Sequence, residues 1–315
     1  MIFDKDTMRT LNQSKKYINQ KFLKREEVIG QGFFGKVYKG QLTTCFDQNL
    51  VAIKTVKQQS GESLVNAAKA LLAEATIMID IDHKNVMNLI GVAAFENKPH
   101  IVIPFMVNGD LLSFLRNDTK ELKQSQLIAF AIDIAEGMFY LSQQRITHRD
   151  LATRNCMLDD KLVVKVSDFG LSRDVYHRNY YRSTQDAHLP LKWMAPESIT
   201  EQIFDTKTDC WSFGVTLWEI MTRGQEPYAG VVQILSHLQQ GNRLEPRDSC
   251  PPQICDLMND CWNEYRVMRP RFNMIASELG DIQEYHRADD PIVLTNTQLI
   301  NSTIDAIDYP DLLVP

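Results

Sequence analysis

The chain has 315 residues, of which 44% are hydrophobic and 23% charged, and its formal net charge is −6. This composition is that of an ordinary globular protein, and it excludes a collagen-like chain, a wholly disordered chain and a strongly basic nucleic-acid-binding protein. Because single hydrophobic cores stop growing at roughly 250–300 residues, the length favours two lobes.

The two ends of the chain differ in charge. Residues 1–40 carry nine Lys and Arg against four Asp and Glu, whereas residues 281–315 carry one against seven. We expect residues 1–24 to be a polar lead-in segment, a solvated basic arm rather than a contact to an anionic membrane. No apolar run reaches the ~18 residues of a membrane span, so we expect a soluble chain without a secretory signal.

The cysteines show neither the CxxC nor the Cys/His spacing of a zinc site. We therefore expect free thiols in a reducing compartment and no disulfide framework. The six are Cys45, Cys156, Cys210, Cys250, Cys255 and Cys261.

A glycine-rich loop begins the first predicted lobe, which we place at residues 25–103. Gly30, Gly32 and Gly35 follow an apolar pair at residues 28–29 and precede alternating residues that include Val37. A GxGxxG run alone is weak evidence, and its commonest other meaning is a dinucleotide site. That site needs a helix directly after the glycines, whereas the alternation here indicates a strand.

Lys54 closes a further predicted strand, in a Val-Ala-Ile-Lys run that also contains Ala52. A lysine at the end of a strand is usually a solvated charge, but its distance behind the glycine loop favours phosphate binding. Residues 62–81 show the apolar spacing of a helix. Glu74 on this helix has small or apolar neighbours and is the predicted partner of Lys54, with Glu62 as the alternative.

A hinge is predicted at residues 104–109, where a strand ending at Ile103 runs into Pro104, Met106 and a glycine turn. Helix resumes at Asp110, which suits an N-cap. The second lobe is then expected over residues 110–285. Its amphipathic helix at residues 125–143 leads directly to the next motif and is expected to fix that loop in place.

Acidic and amide side chains recur at defined spacing in the second lobe. Asp150 and Asn155 lie in one loop, and Asp168 follows a predicted strand. Such oxygens can hold a metal ion beside a hydroxyl acceptor. An isolated Asp or Asn in a loop is usually a turn former. The fixed order of glycine loop, lysine, Asp-Asn loop, Asp-Phe-Gly and Ala-Pro-Glu at residues 195–197 is hard to reconcile with chance.

These motifs resemble the catalytic domain of a protein kinase over residues 25–285. The resemblance implies a two-lobed α+β fold with a small β-rich N-lobe, which has one main helix, and a larger helical C-lobe. It also implies ATP as phosphate donor and Mg²⁺, with Mn²⁺ possible, held by Asn155 and Asp168. The implied catalytic residues are Asp150, Arg154, Lys54 and Glu74. The implied ATP-binding residues are Gly30, Gly32, Gly35, Val37, Ala52, Lys54, Ile103, Pro104, Met106 and Asp110.

The acceptor class is suggested by the residues that follow Asp150. Serine/threonine kinases usually carry Lys two residues after this Asp, whereas this chain has Ala152 there and a cation at Arg154. This form, and the Pro-Leu-Lys-Trp-Met run at residues 190–194, resemble tyrosine kinases, in which that run lines the platform for the substrate tyrosine. The resemblance implies tyrosine hydroxyls of protein substrates and disfavours a serine/threonine kinase.

Three tyrosines share a polar, basic segment between the Asp-Phe-Gly and Ala-Pro-Glu motifs. Tyrosines commonly pack by their rings, but these neighbours argue against burial of Tyr176, Tyr180 and Tyr181 together. We predict that they are phosphorylated, foremost Tyr180 and Tyr181. Each added phosphate could pair with Arg149 or another cation such as Arg173 and order the segment.

Two structural roles are implied by the same resemblance. Asp209, at the start of a long apolar helix, would support the backbone of the Asp150 loop. Glu197 would form a buried ion pair with Arg269, of the kind whose breaking typically costs about 3–5 kcal/mol.

A finer resemblance is to the hepatocyte growth factor receptor and Axl/Mer groups of receptor tyrosine kinases. It rests on the Tyr-Tyr pair and on residues 104–111, 155–159, 222–225 and 240–244. Pro196 departs from it, because those groups usually have Leu or Ile there. The resemblance implies that residues 1–24 are a juxtamembrane-like segment and that the chain lies on the cytoplasmic side of the plasma membrane. It also implies dimerisation for autophosphorylation in trans.

Residues 286–315 lose periodicity and are expected to form a mobile acidic tail. Tyr309 in this tail could dock an SH2-type adaptor once phosphorylated. The alternative to an active enzyme is a pseudokinase scaffold, which binds partners without transferring phosphate. The presence of Lys54, Asp150, Asn155 and Asp168 together disfavours it.

Overall fold

The computed structural model has two lobes and confirms the predicted α+β architecture. The smaller lobe is a six-stranded sheet with one main helix beside it, and the larger lobe is mostly helical. In the part of the chain described by the structure, no helix is both long and apolar enough to cross a membrane. The residues described are 5–31, 35–44, 47–56, 64–95, 98–117, 119, 121–168 and 189–289.

The small lobe is organised by a sheet with the strand order β1-β5-β6-β4-β3-β2. Its neighbours pair antiparallel, except that the short edge strand β1 runs parallel to β5. The main helix, α2, contacts the middle of this sheet through β4 and β6. The bounds are β1 Tyr17–Ile18, β2 Leu23–Gln31, β3 Gly35–Thr43, β4 Gln48–Val56, α2 Leu64–Met78, β5 Gly91–Phe95 and β6 Lys98–Pro104.

Strand β4 packs into a small apolar core with one face and is directed toward helix α2 with the other. Val51 and Ile53 are fully buried in a cluster that also contains Leu23 and Val102. Because successive strand residues point to opposite faces, Lys54 is directed the other way, toward α2. The alternation of the Val-Ala-Ile-Lys run therefore places the lysine on the face that meets the second lobe.

The leading residues are more ordered than their sequence pattern indicates. Helix α1 spans Lys5–Gln13, and its Leu11 is only 2% exposed. The backbone oxygen of Lys16 accepts a hydrogen bond from Val92 N at 2.7 Å, and its Nζ donates to the Leu89 oxygen at 2.6 Å. The described part of this segment is thus docked on the small lobe and is not a solvated arm. The local sequence pattern does not show this docking, because the residues that the segment contacts lie far away in the sequence.

The large lobe is built around helix α6, Thr206–Met221, in which every residue from Thr208 to Met221 is buried. Helices α4 and α9 pack against each other beside it, and β7 and β8 form a two-stranded sheet next to the loop at residues 148–155, which the resemblance identifies as the catalytic loop. The other bounds are α3 Leu111–Leu115, α4 Gln124–Gln143, β7 Cys156–Leu158, β8 Val164–Val166, α5 Pro196–Thr200, α7 Ile234–Gln239, α8 Pro252–Cys261 and α9 Phe272–Asp289.

The two lobes are joined behind the site as well as at the hinge. Met87 N donates to the Val166 oxygen at 2.8 Å, and Val166 N donates to the Asn85 oxygen at 2.9 Å. A Cβ at Gly137 of α4 would lie only 2.5 Å from the Asn85 oxygen, so a glycine is needed for this close approach. The segment that leaves α2 is therefore fixed against the strand that precedes Asp168.

Candidate active site

The loop that carries Asp150 is held by helix α6. The Asp209 carboxylate accepts hydrogen bonds from the backbone N–H groups of His148, at 2.8 Å, and Arg149, at 2.9 Å. Arg149 has a φ of +70°, a left-handed conformation that is uncommon for a residue with a side chain and needs support from its surroundings. Burial raises the pKa of Asp209, while the bonds from the loop oppose that rise. The predicted support of this loop by Asp209 is confirmed.

Asp150 is fixed by two neighbours in the same loop. Arg154 donates from Nη2 to Oδ1 of Asp150, and Asn155 donates from Nδ2 to the Asp150 backbone oxygen at 2.6 Å. The side chain of Asp150 is 16% exposed and therefore not fully buried. Burial raises the pKa of Asp150, and the positive charge of Arg154 opposes the shift. The result is an oriented carboxylate that is more basic than an ordinary aspartate.

Lys54 meets two carboxylates, one from each lobe. Its Nζ lies 2.8 and 3.0 Å from the two carboxylate oxygens of Glu74 on α2, and 3.0 Å from Oδ1 of Asp168. Burial alone would lower the pKa of Lys54, but the two carboxylates raise it above its ordinary value, so the amine stays protonated. The structure therefore pairs Lys54 with Glu74, as predicted, whereas Glu62 lies outside the described residues.

The residues expected to face ATP lie on the sheet and hinge beside this cluster. Gly30 and Val37 are partners across β2 and β3, and Ala52 and Ile103 are partners across β4 and β6. The described glycine Gly35 begins β3, Pro104 ends β6, and Met106 follows in the hinge with only 8% exposure. Gly32 lies outside the described residues.

Asp110 has a structural role that its sequence context also allowed. It is the N-cap of α3, and its Oδ1 accepts a hydrogen bond from Ser113 N at 2.8 Å. Such a bond satisfies one of the free N–H groups at the start of a helix. A contact from Asp110 to the ribose of ATP stays a prediction.

Asn155 and Asp168 provide donors that suit magnesium bound together with phosphate. The Asn155 amide nitrogen is used on Asp150, which leaves its Oδ1 as the oxygen for a ligand. Ser167 N and Oγ each donate to the Asn155 backbone oxygen at 2.9 Å and so join the two candidate ligands. No group of three or more His, Cys, Asp or Glu that could hold a metal is found among the described residues. Magnesium commonly takes one or two protein carboxylates and completes its shell with phosphates and water, so the residues fit.

Helix α6 also contributes two residues that sequence reasoning missed. Glu219 accepts hydrogen bonds from Thr153 N in the catalytic loop and from Trp193 Nε1, each at 3.0 Å. Ser212 donates from Oγ to the Trp193 backbone oxygen at 2.8 Å. The available signal was a carboxylate among the apolar residues of the last turns of the helix, since such a charge needs buried partners.

The Trp193 ring lies beneath a residue of the catalytic loop. The guanidinium carbon of Arg154 is 4.2 Å from the centre of the indole, a cation–π contact. Arg154 therefore connects Asp150 with the run at residues 190–194, which the sequence predicted as the acceptor platform.

The predicted ion pair between Glu197 and Arg269 is present. Arg269 donates from Nη1 and Nη2 to the two carboxylate oxygens of Glu197 at 2.5 and 3.1 Å, and it is 1% exposed. Its guanidinium also lies 5.0 Å from the centre of the Trp211 ring. The pair fixes the start of α5 to the segment before α9.

The predicted phosphorylation sites Tyr176, Tyr180, Tyr181 and Tyr309 lie outside the described residues. Arg149, the predicted partner of a phosphate in the first three cases, is described, and its guanidinium lies 5.2 Å from the centre of the Phe204 ring.

Comparison with models of known protein families gives a match that covers most of the chain. The family model described as "Protein tyrosine and serine/threonine kinase" matches residues 23–279. Members of that family share protein kinase activity, a requirement for ATP and a divalent metal, and protein substrates. Because the model covers both acceptor classes, it does not distinguish tyrosine from serine/threonine specificity or assign a receptor group.

Proposed function

This chain belongs to the protein tyrosine and serine/threonine kinase family, and we propose that it is a protein tyrosine kinase. The observation that carries the proposal is the contact between the Arg154 guanidinium and the Trp193 ring, 4.2 Å apart. This contact ties the loop of the catalytic Asp150 to the run at residues 190–194. A phenol is longer than an aliphatic hydroxyl side chain, so a platform set farther from Asp150 would favour tyrosine as acceptor, as the resemblance to tyrosine kinases implies.

Phosphoryl transfer requires positioning and neutralisation of charge more than covalent chemistry by the protein. When bound, ATP supplies the transferred γ-phosphate, and Mg²⁺, or Mn²⁺, neutralises charge on its phosphate oxygens. Lys54 would hold the α- and β-phosphates, and Asn155 and Asp168 would hold the metal. Asp150 would orient the acceptor hydroxyl and accept its hydrogen. Glu74 would keep Lys54 in place.

The adenine would lie between the sheet and the hinge. Gly30, Gly32 and Gly35 would cover the phosphates, and Val37, Ala52 and Ile103 would line the base. Pro104 and Met106 would offer backbone contacts in a hinge at residues 104–109, with lobes at residues 25–103 and 110–285. The residue partnerships Gly30 with Val37 and Ala52 with Ile103 support this arrangement.

Activation would follow autophosphorylation of Tyr176, Tyr180 and Tyr181, with Arg149 as one partner of the new phosphates. The positive φ of Arg149 and its position beside Asp150 support the coupling, because a phosphate held there would act on the catalytic loop. An Arg149→Ala variant should lose part of its activation by phosphorylation. Full activation of this variant would contradict the coupling.

The membrane-related part of the proposal rests on resemblance alone. We propose a receptor-type enzyme on the cytoplasmic side of the plasma membrane, with residues 1–24 beside the membrane and dimerisation for phosphorylation in trans. Residues 286–315 would form an acidic tail, and phosphorylated Tyr309 would dock SH2-type adaptors.

A direct test is incubation of the purified chain with ATP and Mg²⁺, followed by mass spectrometric assignment of each phosphorylated residue. The wild type should produce phosphotyrosine, and Asp150→Asn should produce at least about a hundredfold less. Phosphoserine or phosphothreonine as the main product would contradict tyrosine specificity. ATP binding without any transfer would favour the pseudokinase alternative.

A further inference from the structure

Helix α6 contacts both the catalytic loop and the predicted acceptor platform through one buried carboxylate. A single oxygen of Glu219, Oε2, accepts the hydrogen bonds of Thr153 N and Trp193 Nε1, each 3.0 Å long. Glu219 is 1% exposed. A buried charge in an apolar helix is retained at a cost in desolvation, so its two donors mark it as a specific connection rather than a solvated residue.

The same helix holds the platform at a second point. Ser212 Oγ donates to the Trp193 backbone oxygen at 2.8 Å, so Trp193 is attached to α6 by its main chain and by its indole. Ser212 and Glu219 are seven residues apart, which places them two turns apart on one side of a helix. The indole plane therefore has a fixed orientation relative to α6.

Trp193 transmits this orientation to the catalytic loop. The Arg154 guanidinium lies 4.2 Å from the centre of the indole and also donates to Asp150 Oδ1. Thr153, the neighbour of Arg154, is held by Glu219 through its backbone N–H. Both sides of the Arg154 contact thus depend on the carboxylate of Glu219.

We infer that Glu219 is a positioning residue that sets the geometry between Asp150 and the acceptor platform, acting through Trp193 and Arg154. The inference rests on the proposed function, because it assigns the run at residues 190–194 to the substrate tyrosine. The inference predicts a specific change in the kinetics. Disturbing Glu219 should impair use of the peptide acceptor and should leave ATP binding at Lys54 unaffected.

Two substitutions separate the hydrogen bonds of Glu219 from its charge. Glu219→Gln keeps an oxygen that can accept both N–H groups, whereas Glu219→Met has a similar length and accepts neither. Trp193→Phe removes the indole donor from the other side. Trp218→Phe is the matched control, because Trp218 Nε1 donates to the Glu245 backbone oxygen at 2.7 Å, outside the catalytic loop.

We expect Glu219→Met to lower kcat/KM for a tyrosine peptide about ten- to a hundredfold, because a buried and a partly buried donor lose their acceptor. Glu219→Gln should restore the value to within about threefold of the wild type, since the bonds can form again. Trp193→Phe should reproduce much of the loss. Added to Glu219→Met it should have a less than additive effect, as expected for residues that act as one unit.

The indole N–H resonances provide a readout independent of phosphate transfer. The chain has four Trp, so each signal can be assigned by substitution. The Trp193 signal should move in Glu219→Met and stay near its position in Glu219→Gln. The Michaelis constant for ATP should stay within about twofold of the wild type in all variants that keep the Lys54 site, and Trp218→Phe should leave kcat/KM within the same factor.

The outcomes separate the inference from the proposed function. A wild type that phosphorylates serine but not tyrosine peptides would contradict the proposed function. A wild type active on tyrosine together with an equally active Glu219→Met would overturn the inference alone. So would equal losses of the peptide and ATP parameters in a folded Glu219→Met protein, because Glu219 would then not act on the acceptor side alone. If Glu219→Met does not fold, an unimpaired Trp193→Phe overturns the inference in its place.

Discussion

The amine of Lys54 lies 2.8 and 3.0 Å from the two carboxylate oxygens of Glu74, its partner across strand β4 and helix α2. Both side chains are at most 15% exposed. This ion pair orients the lysine toward the space between the lobes, where Asp168 provides a second carboxylate at 3.0 Å. The position of α2 therefore sets the direction of the Lys54 amine.

Glu74→Gln should weaken both catalysis and stability while the protein stays folded. Lys54 keeps Asp168 as a counter-charge, so we expect a stability loss of about 1–3 kcal/mol, below the full value for breaking a buried pair. Because Lys54 would turn toward Asp168, kcat/KM for ATP should fall at least about tenfold. Steady-state kinetics and urea unfolding measure the two effects. Glu136→Gln is the control, since Glu136 pairs with the exposed Lys84 on the surface.

Breaking the pair of Glu197 and Arg269 should destabilise the large lobe. Glu197→Gln leaves a guanidinium that is 1% exposed without its carboxylate, so the free energy of unfolding should fall by about 3–5 kcal/mol. Arg266→Met is a matched control, because Arg266 and Asp205 form a bridge of 2.9 Å that is 37% and 40% exposed. That loss should stay below about 1 kcal/mol. Equal losses in the two variants would contradict the assignment of a buried structural pair.

Removing the support of the catalytic loop should lower activity without removing ATP binding. In Asp209→Asn an amide group replaces one of the two oxygens that accept from His148 N and Arg149 N. One backbone N–H loses its acceptor, and the left-handed Arg149 loses part of its support. We expect kcat to fall about ten- to a hundredfold, with the ATP dissociation constant within about threefold of the wild type. Unchanged kcat would show that the loop holds its shape without Asp209.

As the pH is lowered, kcat should begin to decline at a pH above the ordinary pKa of an aspartate. Asp150 acts as an acceptor only when ionised, and burial raises its pKa, so a protonated and inactive fraction persists to higher pH. Arg154 opposes this shift with its positive charge. Arg154→Met should therefore move the acid limb of kcat to still higher pH. A limb that stays in place or moves to lower pH in this variant would contradict the role of Asp150.

The fold and the main chemistry were predictable because they depend on local patterns. The alternation through Ala52 and Lys54 placed the lysine on the correct face of its strand, and the spacing of helix α2 presented Glu74 to it. Asp110 was more ambiguous, since the same carboxylate suits an N-cap and a ribose contact, and only the cap is observed.

Contacts between distant segments could not be predicted in the same way. Glu219 and Trp193 are 26 residues apart in the sequence. The periodicity of each segment predicts its own secondary structure but not how the two segments pack together. The burial of Leu11 depends likewise on a surface assembled from later parts of the chain. The prediction of a solvated arm at residues 1–24 was therefore wrong. The segment is mostly polar, and its short apolar face is not evident from composition.

The central claim is that Asp150 delivers a tyrosine hydroxyl to the γ-phosphate of ATP. It is tested most directly by comparing two peptides that differ only in Tyr or Ser at the acceptor position, with wild type and Asp150→Asn in parallel. We predict transfer to the Tyr peptide by the wild type, at least about a hundredfold less by Asp150→Asn, and no preference for Ser. Equal transfer by both proteins, or preferred transfer to the Ser peptide, would contradict the account.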